Sequence, residues 1–157
     1  RRILPLNHVY GYIFVTDAKV YFEPFHSLLG KAVHKIELSD IAQLFKRRFE
    51  LEGSAVVIQT GLEIITSNGK SYYFTFESTN NRNRLYSALS KKVPEKCLKV
   101  ESLDRITYLW QTKQISNYEY LVQLNQTSNR SFSDLSQYPV FPWVLTDYES
   151  ETIDLNN

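Results

Sequence analysis

The side chains that ordinarily do chemistry are few and scattered in this 157-residue chain. His8, His26 and His34 are the three histidines, and none stands at ligand spacing to another histidine or to a carboxylate. The pattern predicts no metal site. Cys97 is the single cysteine, which excludes an internal disulfide and a Cys-based metal site and suits a reducing compartment. The five glycines are separated, so no Gly-rich phosphate loop exists, and no nucleophile-elbow pattern occurs. The residues therefore predict a protein that is not an enzyme and that needs no cofactor. Two other groups have the density for binding. Lys46-Arg47-Arg48, helped by Arg1, Arg2, Lys31 and Lys35, carries charge suited to a phosphoinositide headgroup or an acidic surface. Tyr138-Pro-Val-Phe-Pro-Trp143 sets three rings on a run with two prolines, which fix φ and remove two backbone donors. Such a run is neither helix interior nor central strand, and its rings need a surface to cover them.

The elements that must position these groups change character along the chain. Tyr12–Val15 and Val20–Phe22 flank the turn-like Thr16-Asp-Ala-Lys19, a hairpin pattern. Val33–Leu38 alternates, and Asp40–Phe49 reads as a strand whose Lys46 and Arg48 share one side while Arg47 faces the other. Ser54–Thr60, Leu62–Ser67 and Ser71–Glu77 continue the strands, with Asn68-Gly69 predicting a type I′ hairpin turn. From Ser78 the period lengthens: Leu85, Tyr86, Leu89 and Val93 recur at helical spacing until Pro94 stops them. Six or seven strands closed by one C-terminal helix predict an α+β fold, a partly open barrel plugged by a helix. That order is similar to the pleckstrin-homology (PH) superfold, shared by PTB and GRAM domains.

Residues 94–101 read as a linker. Beyond it, Leu103–Lys113 places Ile106, Leu109 and Trp110 on one helical face. Ser116-Asn-Tyr-Glu119 has capping-box spacing before Tyr120, Leu121 and Leu124. Asn125–Ser133 reads as a polar loop, with Arg130 and Asp134 as a local ion pair. The formal charge of +1 conceals a split. Residues 1–93 hold 13 basic against 8 acidic side chains, and residues 94–157 hold 5 against 9. Opposite net charges of +5 and −4 suit docking of one half on the other, or a mixed solvated surface. The longest apolar stretch, Val9–Val15, falls short of the ~20 residues of a membrane span. Because the chain begins at Arg1, it reads as an excised piece.

Ile115-Ser-Asn-Tyr-Glu-Tyr-Leu121, Leu124-Asn125, Arg130-Ser131, Asp134-Leu135 and Gln137-Tyr-Pro-Val-Phe-Pro-Trp143 resemble the opening of a BEACH domain. Asp147-Tyr148 and Ile153-Asp154-Leu155 continue the resemblance. In that family a PH-like domain precedes BEACH. The resemblance implies a PH-like domain at 1–93, a linker at 94–101 and a truncated BEACH start at 102–157. Ile3-Leu-Pro-Leu6, Val15-Thr-Asp17, Tyr21-Phe22 and Lys46-Arg47-Arg48 are most similar to the branch of the family tied to neutral sphingomyelinase activation. This similarity implies a cytoplasmic scaffold, peripheral to membranes, that recruits a protein partner such as a receptor's cytoplasmic tail. Lys46, Arg47 and Arg48 are the expected partner or lipid contacts, with weak anionic-lipid binding as a contribution and no role for nucleic acid. Trp110, Tyr138, Pro139, Phe141 and Trp143 are the expected seam between the two units. A phosphoinositide-binding PH module is the alternative, and peptide capture along a sheet edge is a third reading.

Overall fold

Among the described residues, alternation of apolar and polar side chains over the first 75 positions resolves into eight strands, all paired antiparallel. The computed structural model describes residues 1–25, 33–50, 56–142 and 149–152, apart from the Glu50 side chain. His26, Lys31, Trp143, Asp147, Tyr148 and Ile153–Leu155 lie outside the described residues. The strands are β1 (Arg2–Leu4), β2 (Asn7–Val9), β3 (Gly11–Val15), β4 (Lys19–Pro24), β5 (His34–Glu37), β6 (Ile41–Glu50), β7 (Val57–Thr66) and β8 (Ser71–Thr75). They form a five-stranded sheet in the order β2-β1-β8-β7-β6 and a three-stranded sheet in the order β3-β4-β5. Against the expected six or seven, the strands expected at Ser54–Thr60 and Leu62–Ser67 run together as β7, while residues 2–15 break into three pieces, with β2 in one sheet and β3 in the other. At that passage Gly11 pairs with Pro24, and a Cβ there would lie 2.2 Å from the Glu23 carbonyl oxygen. Only a residue without a side chain allows so close a pass.

Between the sheets Val20, Phe22, Ile36, Leu44, Leu62, Ile64 and Phe74 form one apolar core. The helix α1 (Thr79–Ser90) closes it with Leu85 and Leu89, and Val93 follows. Ser78 caps α1 by accepting from the Asn81 amide at 3.2 Å. The fold is therefore α+β, with two open antiparallel sheets and a helix over the gap, as the alternation predicts.

One local expectation is corrected. The turn at Asn68-Gly69 is not type I′, which needs φ > 0 at both central residues. Only Gly69 is left-handed, at φ 78°. Its amide donates to the Thr66 carbonyl while the Thr66 amide donates to Lys70, so the loop holds three residues, Ser67 to Gly69. Asn68 stays at negative φ and spends its carbonyl oxygen on the Thr66 hydroxyl and the Lys70 amide. Within residues 94–101, Glu95–Leu98 is a 3-10 turn whose buried Cys97 donates its thiol to the Ile41 carbonyl.

The C-terminal portion carries α2 (Leu103–Gln111) and α3 (Asn117–Thr127). Ser102 and Ser116 cap them, and Glu119 completes the capping box foreseen for α3 by accepting from the Ser116 amide at 2.8 Å. These bonds hold the Glu119 carboxyl below its usual pKa. Among the described residues no helix is long and apolar enough to cross a membrane.

Candidate interaction site at the seam between sheet and helix

The five-stranded sheet is buried on both faces, and the second face makes the site. Alternation along β7 sends Leu62 and Ile64 into the apolar core, so Glu63 must point the other way. By the same rule Arg47 of β6 leaves the side of Leu44, and Tyr73 of β8 leaves that of Phe74. Sheet register sets Glu63 opposite Tyr73 on one neighbour and Phe45 on the other.

A carboxylate in such a place is costly unless every lone pair is used. Glu63 is 2% exposed, and its partners converge from several stretches of chain. Arg47 Nε donates to Oε2 at 2.7 Å. The hydroxyls of Ser71 and Ser131 donate to Oε1 at 2.5 and 2.6 Å. Ser133 extends the chain of hydroxyls to Ser71 at 3.1 Å. Arg47 meanwhile reaches the end of α3, where its Nη1 donates to the Gln126 carbonyl at 2.5 Å. The Gln126 carbonyl also accepts from the Asn129 amide at 3.2 Å, and the negative end of the helix dipole there favours a guanidinium.

Around this centre the backbone is stitched as well. Asn129, at φ 65°, accepts from the Arg48 amide at 2.9 Å and donates to the Arg48 carbonyl at 3.0 Å, pairing with β6 as a strand would. Tyr73 donates its hydroxyl to the same carbonyl at 3.0 Å. Burial, reinforced by the Asp134 and Glu63 carboxylates, pushes the Tyr73 phenol well above its ordinary pKa; Arg47 opposes the shift. Asn125 ties the proline-rich run to α3, donating to the Leu121 and Val140 carbonyls and accepting from the Val140 amide at 2.7 Å. A cavity of about 210 Å³ remains between sheet and α3, lined by Arg47, Glu63, Ser71, Tyr118, Arg130 and Phe132 among others.

The residues expected to act separate into groups. Arg47 is 3% exposed and committed to Glu63 and Gln126, so it cannot offer itself with its neighbours to an outside partner. Lys46 and Arg48 are on the opposite side, as alternation predicted, with Lys46 exposed and its Nζ 4.3 Å from the Tyr86 ring centroid. Of the seam residues, Pro139 is buried, while Phe141 stacks on Tyr118 and Phe132 with centroids at 6.0 and 6.3 Å. Tyr138 meets Phe132 edge-on at 5.5 Å. Trp110 packs within the α2–α3 pair, stacked on Tyr120 at 4.7 Å and donating to Asn117. Arg130 donates to the Tyr138 carbonyl and Asp134 accepts from Ser136, so the expected ion pair between them does not form. Asn125, expected in a polar loop, is a buried residue of α3. Opposite net charge does not make the contacts that cross this seam; they are hydrogen bonds from or to neutral groups. Glu63, Ser71, Asn125, Gln126, Asn129 and Ser131 were not foreseen. An acid inside the apolar run Leu62–Ile65 was the available signal, because such a residue is rarely buried without a partner.

Comparisons with known proteins match two stretches of the chain. A family model described as "PH domain associated with Beige/BEACH" matches residues 26–90, and one described as "Beige/BEACH domain" matches residues 108–157. The human lysosomal-trafficking regulator is 41% identical over 119 residues, covering 75% of this chain and 3% of that protein. The Drosophila melanogaster lysosomal-trafficking regulator is 30% identical over 158 aligned residues, covering 98% of this chain and 4% of that protein. The C-terminal domain of an unknown protein from Leishmania infantum superposes with a TM-score of 0.43 at 22% identity, over 58% of this chain and 75% of the other. The chain is therefore similar to PH-BEACH and BEACH sequence over these two stretches and to lysosomal-trafficking regulators, and it spans only 3–4% of their length.

Proposed function

We propose that the chain is a non-enzymatic scaffold module of membrane trafficking, acting on the cytoplasmic side of membranes by recruiting a protein partner. In this reading a PH-like unit at 1–93 and a BEACH start at 102–157 act as one composite surface. The observation behind it is the buried network of Arg47, Glu63 and Ser131, which ties the end of α3 and the stretch after it to the second face of the sheet. The names of the homologues supply the trafficking context. The narrower link to a receptor tail and sphingomyelinase activation rests on short motifs such as Val15-Thr-Asp17, and the relatives found carry the trafficking name instead.

The alternative, a phosphoinositide module, has the basic pair Lys46 and Arg48 in its favour. Against it, the β3–β4 loop has no spare charge: Lys19 pairs with Glu37 at 2.6 Å and Asp17 with Lys92 at 2.5 Å. Sedimentation separates the readings. The tagged chain is mixed with native membranes, with protease-stripped membranes, and with protein-free liposomes containing phosphoinositides. The scaffold reading predicts binding to native membranes only. Selective binding to the liposomes at physiological salt, lost on charge reversal of Lys46 and Arg48, would replace it with the lipid reading.

A further inference from the structure

One sheet edge is covered by this chain itself and another is bare. On β6 the side chain of Asn129 pairs with Arg48 as a strand would. β3 is the last strand of its sheet and is bonded to β4 alone. In an antiparallel pair, positions that exchange hydrogen bonds alternate with positions that do not. The Phe25 amide donates to the Tyr10 carbonyl and the Thr16 amide to the Lys19 carbonyl, both at 2.9 Å. Between them Tyr12 bonds Glu23 and Phe14 bonds Tyr21, so Gly11, Ile13 and Val15 turn their amides and carbonyls outward, where no described strand lies. Such an edge is a template for a further strand, and proteins commonly blunt it with charge or proline. Gly11–Val15 carries neither.

The bare edge looks into a slot of about 470 Å³. Gly11 and Ile13 line one side, Asn81, Arg84 and Leu85 of α1 the other, and Thr75, Phe76 and Glu77 one end. At the other end the Asp17–Lys92 ion pair joins the turn after β3 to the residues after α1. With a helix across from the edge, one strand fits and a second sheet does not. Tyr10, Tyr12, Phe14 and Phe25 are each half or more exposed, an apolar rim for the side chains of an added strand. The charges narrow the occupant. Arg1 spends its terminal amine on the Thr75 carbonyl and its guanidinium on the Thr75 and Tyr10 hydroxyls. Asp17 and Lys92 neutralise each other, and the exposed Glu23 and Glu77 lie toward the Gly11 end. Arg84, also exposed, is the cation of the slot that has no partner among the described residues. An acid is attracted beside Arg84 and repelled at the Gly11 end, which fixes the register of a segment with one acidic side chain.

We infer that the slot between β3 and α1 takes an extended segment of a partner protein as an added strand, its backbone on Gly11, Ile13 and Val15 and one acidic side chain on Arg84. The inference rests on the scaffold reading and gives the recruited partner a place and a chemistry.

The test is an NMR titration of the isotope-labelled chain, at constant ionic strength, with short peptides of alternating Val and Thr that carry one glutamate at each position in turn. Saturable shifts and slowed hydrogen exchange at the Gly11, Ile13 and Val15 amides are expected for at least one glutamate position. Replacing that glutamate by glutamine should weaken binding roughly tenfold, the loss of one charge-assisted contact. Arg84→Gln should remove the difference between the two peptides. Peptides N-methylated on alternate amides separate strand addition from apolar adsorption: methylation in one phase should abolish binding, and methylation in the other should spare it. Val15→Pro removes one outward amide at an edge, where proline is tolerated, and should weaken every peptide; if that variant disturbs the sheet, the methylated peptides still decide. Absence of saturation at these amides for every peptide, equal binding of the glutamate and glutamine forms, or an equal effect of the two methylation phases overturns the inference. A negative titration with intact membrane recruitment removes this inference alone; a positive titration without recruitment removes the scaffold reading alone.

Discussion

Leu62 and Glu63 are neighbours on one strand, both essentially inaccessible to water, yet they are buried in opposite kinds of interior. On the Leu62 side the sheet meets the second sheet and α1 through aliphatic and aromatic carbon. On the Glu63 side it meets α3 and the residues after it through an ion pair, serine hydroxyls and a helix-end carbonyl. Apolar contact is strong but tolerant of small shifts, whereas each of these polar bonds is satisfied in one arrangement only. The difference suggests a division of labour: carbon holds the sheet module together, and the polar face fixes where the helical portion sits. Buried ion pairs add little net stability, so placement is the role their geometry supports best here.

Substitutions on the two faces should break the molecule differently. Glu63→Ala strands Arg47 and two hydroxyls, and loss of one partner of a buried pair costs about 3–5 kcal/mol. Hydrogen exchange should rise first in residues 117–140, before the strands open. Replacing both partners by apolar residues, Arg47→Met with Glu63→Leu, should recover most of the urea midpoint but not the exchange protection. Leu62→Ala leaves a cavity in the carbon interior at a cost of roughly 2–5 kcal/mol, and exchange should rise across the whole sheet together. Identical regional patterns for the two faces would erase the distinction.

Smaller effects sharpen it. Asn125→Ala leaves the Val140 amide and carbonyl without their partner, a loss of about 2 kcal/mol by urea titration that should free the proline-rich run and spare the strands. The smallest is set by pH. Because the folded phenol of Tyr73 is raised above its unfolded value near 10, its contribution is complete below about pH 10 and lost as pH rises further. Tyr73→Phe should therefore flatten the fall of the urea midpoint between about pH 9 and 11.

The carbon interior was legible in the sequence and the polar one was not. Alternation in residues 71–77 and the three- and four-residue spacing of Leu85 and Leu89 announce a sheet and a covering helix, since hydrophobic periodicity reports which face is buried. The Ser116 capping box was equally direct, being a local contact between residues three apart. The seam depends on partners far apart in the chain: Glu63 and Ser131 are separated by 68 residues. A serine that donates to a buried carboxylate looks like any loop serine until the fold brings them together. The buried place of Arg47 was hidden for the same reason: alternation turns it from its basic neighbours, but its partner Gln126 is 79 residues away. The turn at Asn68-Gly69 was misread because the dipeptide fixes one left-handed residue and leaves open whether the loop has two residues or three.

A double-mutant cycle between Glu63→Gln and Ser131→Ala, read by urea unfolding, bears most directly on the claim that the helical portion is keyed to the sheet by this polar face. The hydrogen bond at 2.6 Å between them predicts a coupling of roughly 1–3 kcal/mol. Additive effects, within about 0.5 kcal/mol, would mean the two residues do not act together and would contradict the account.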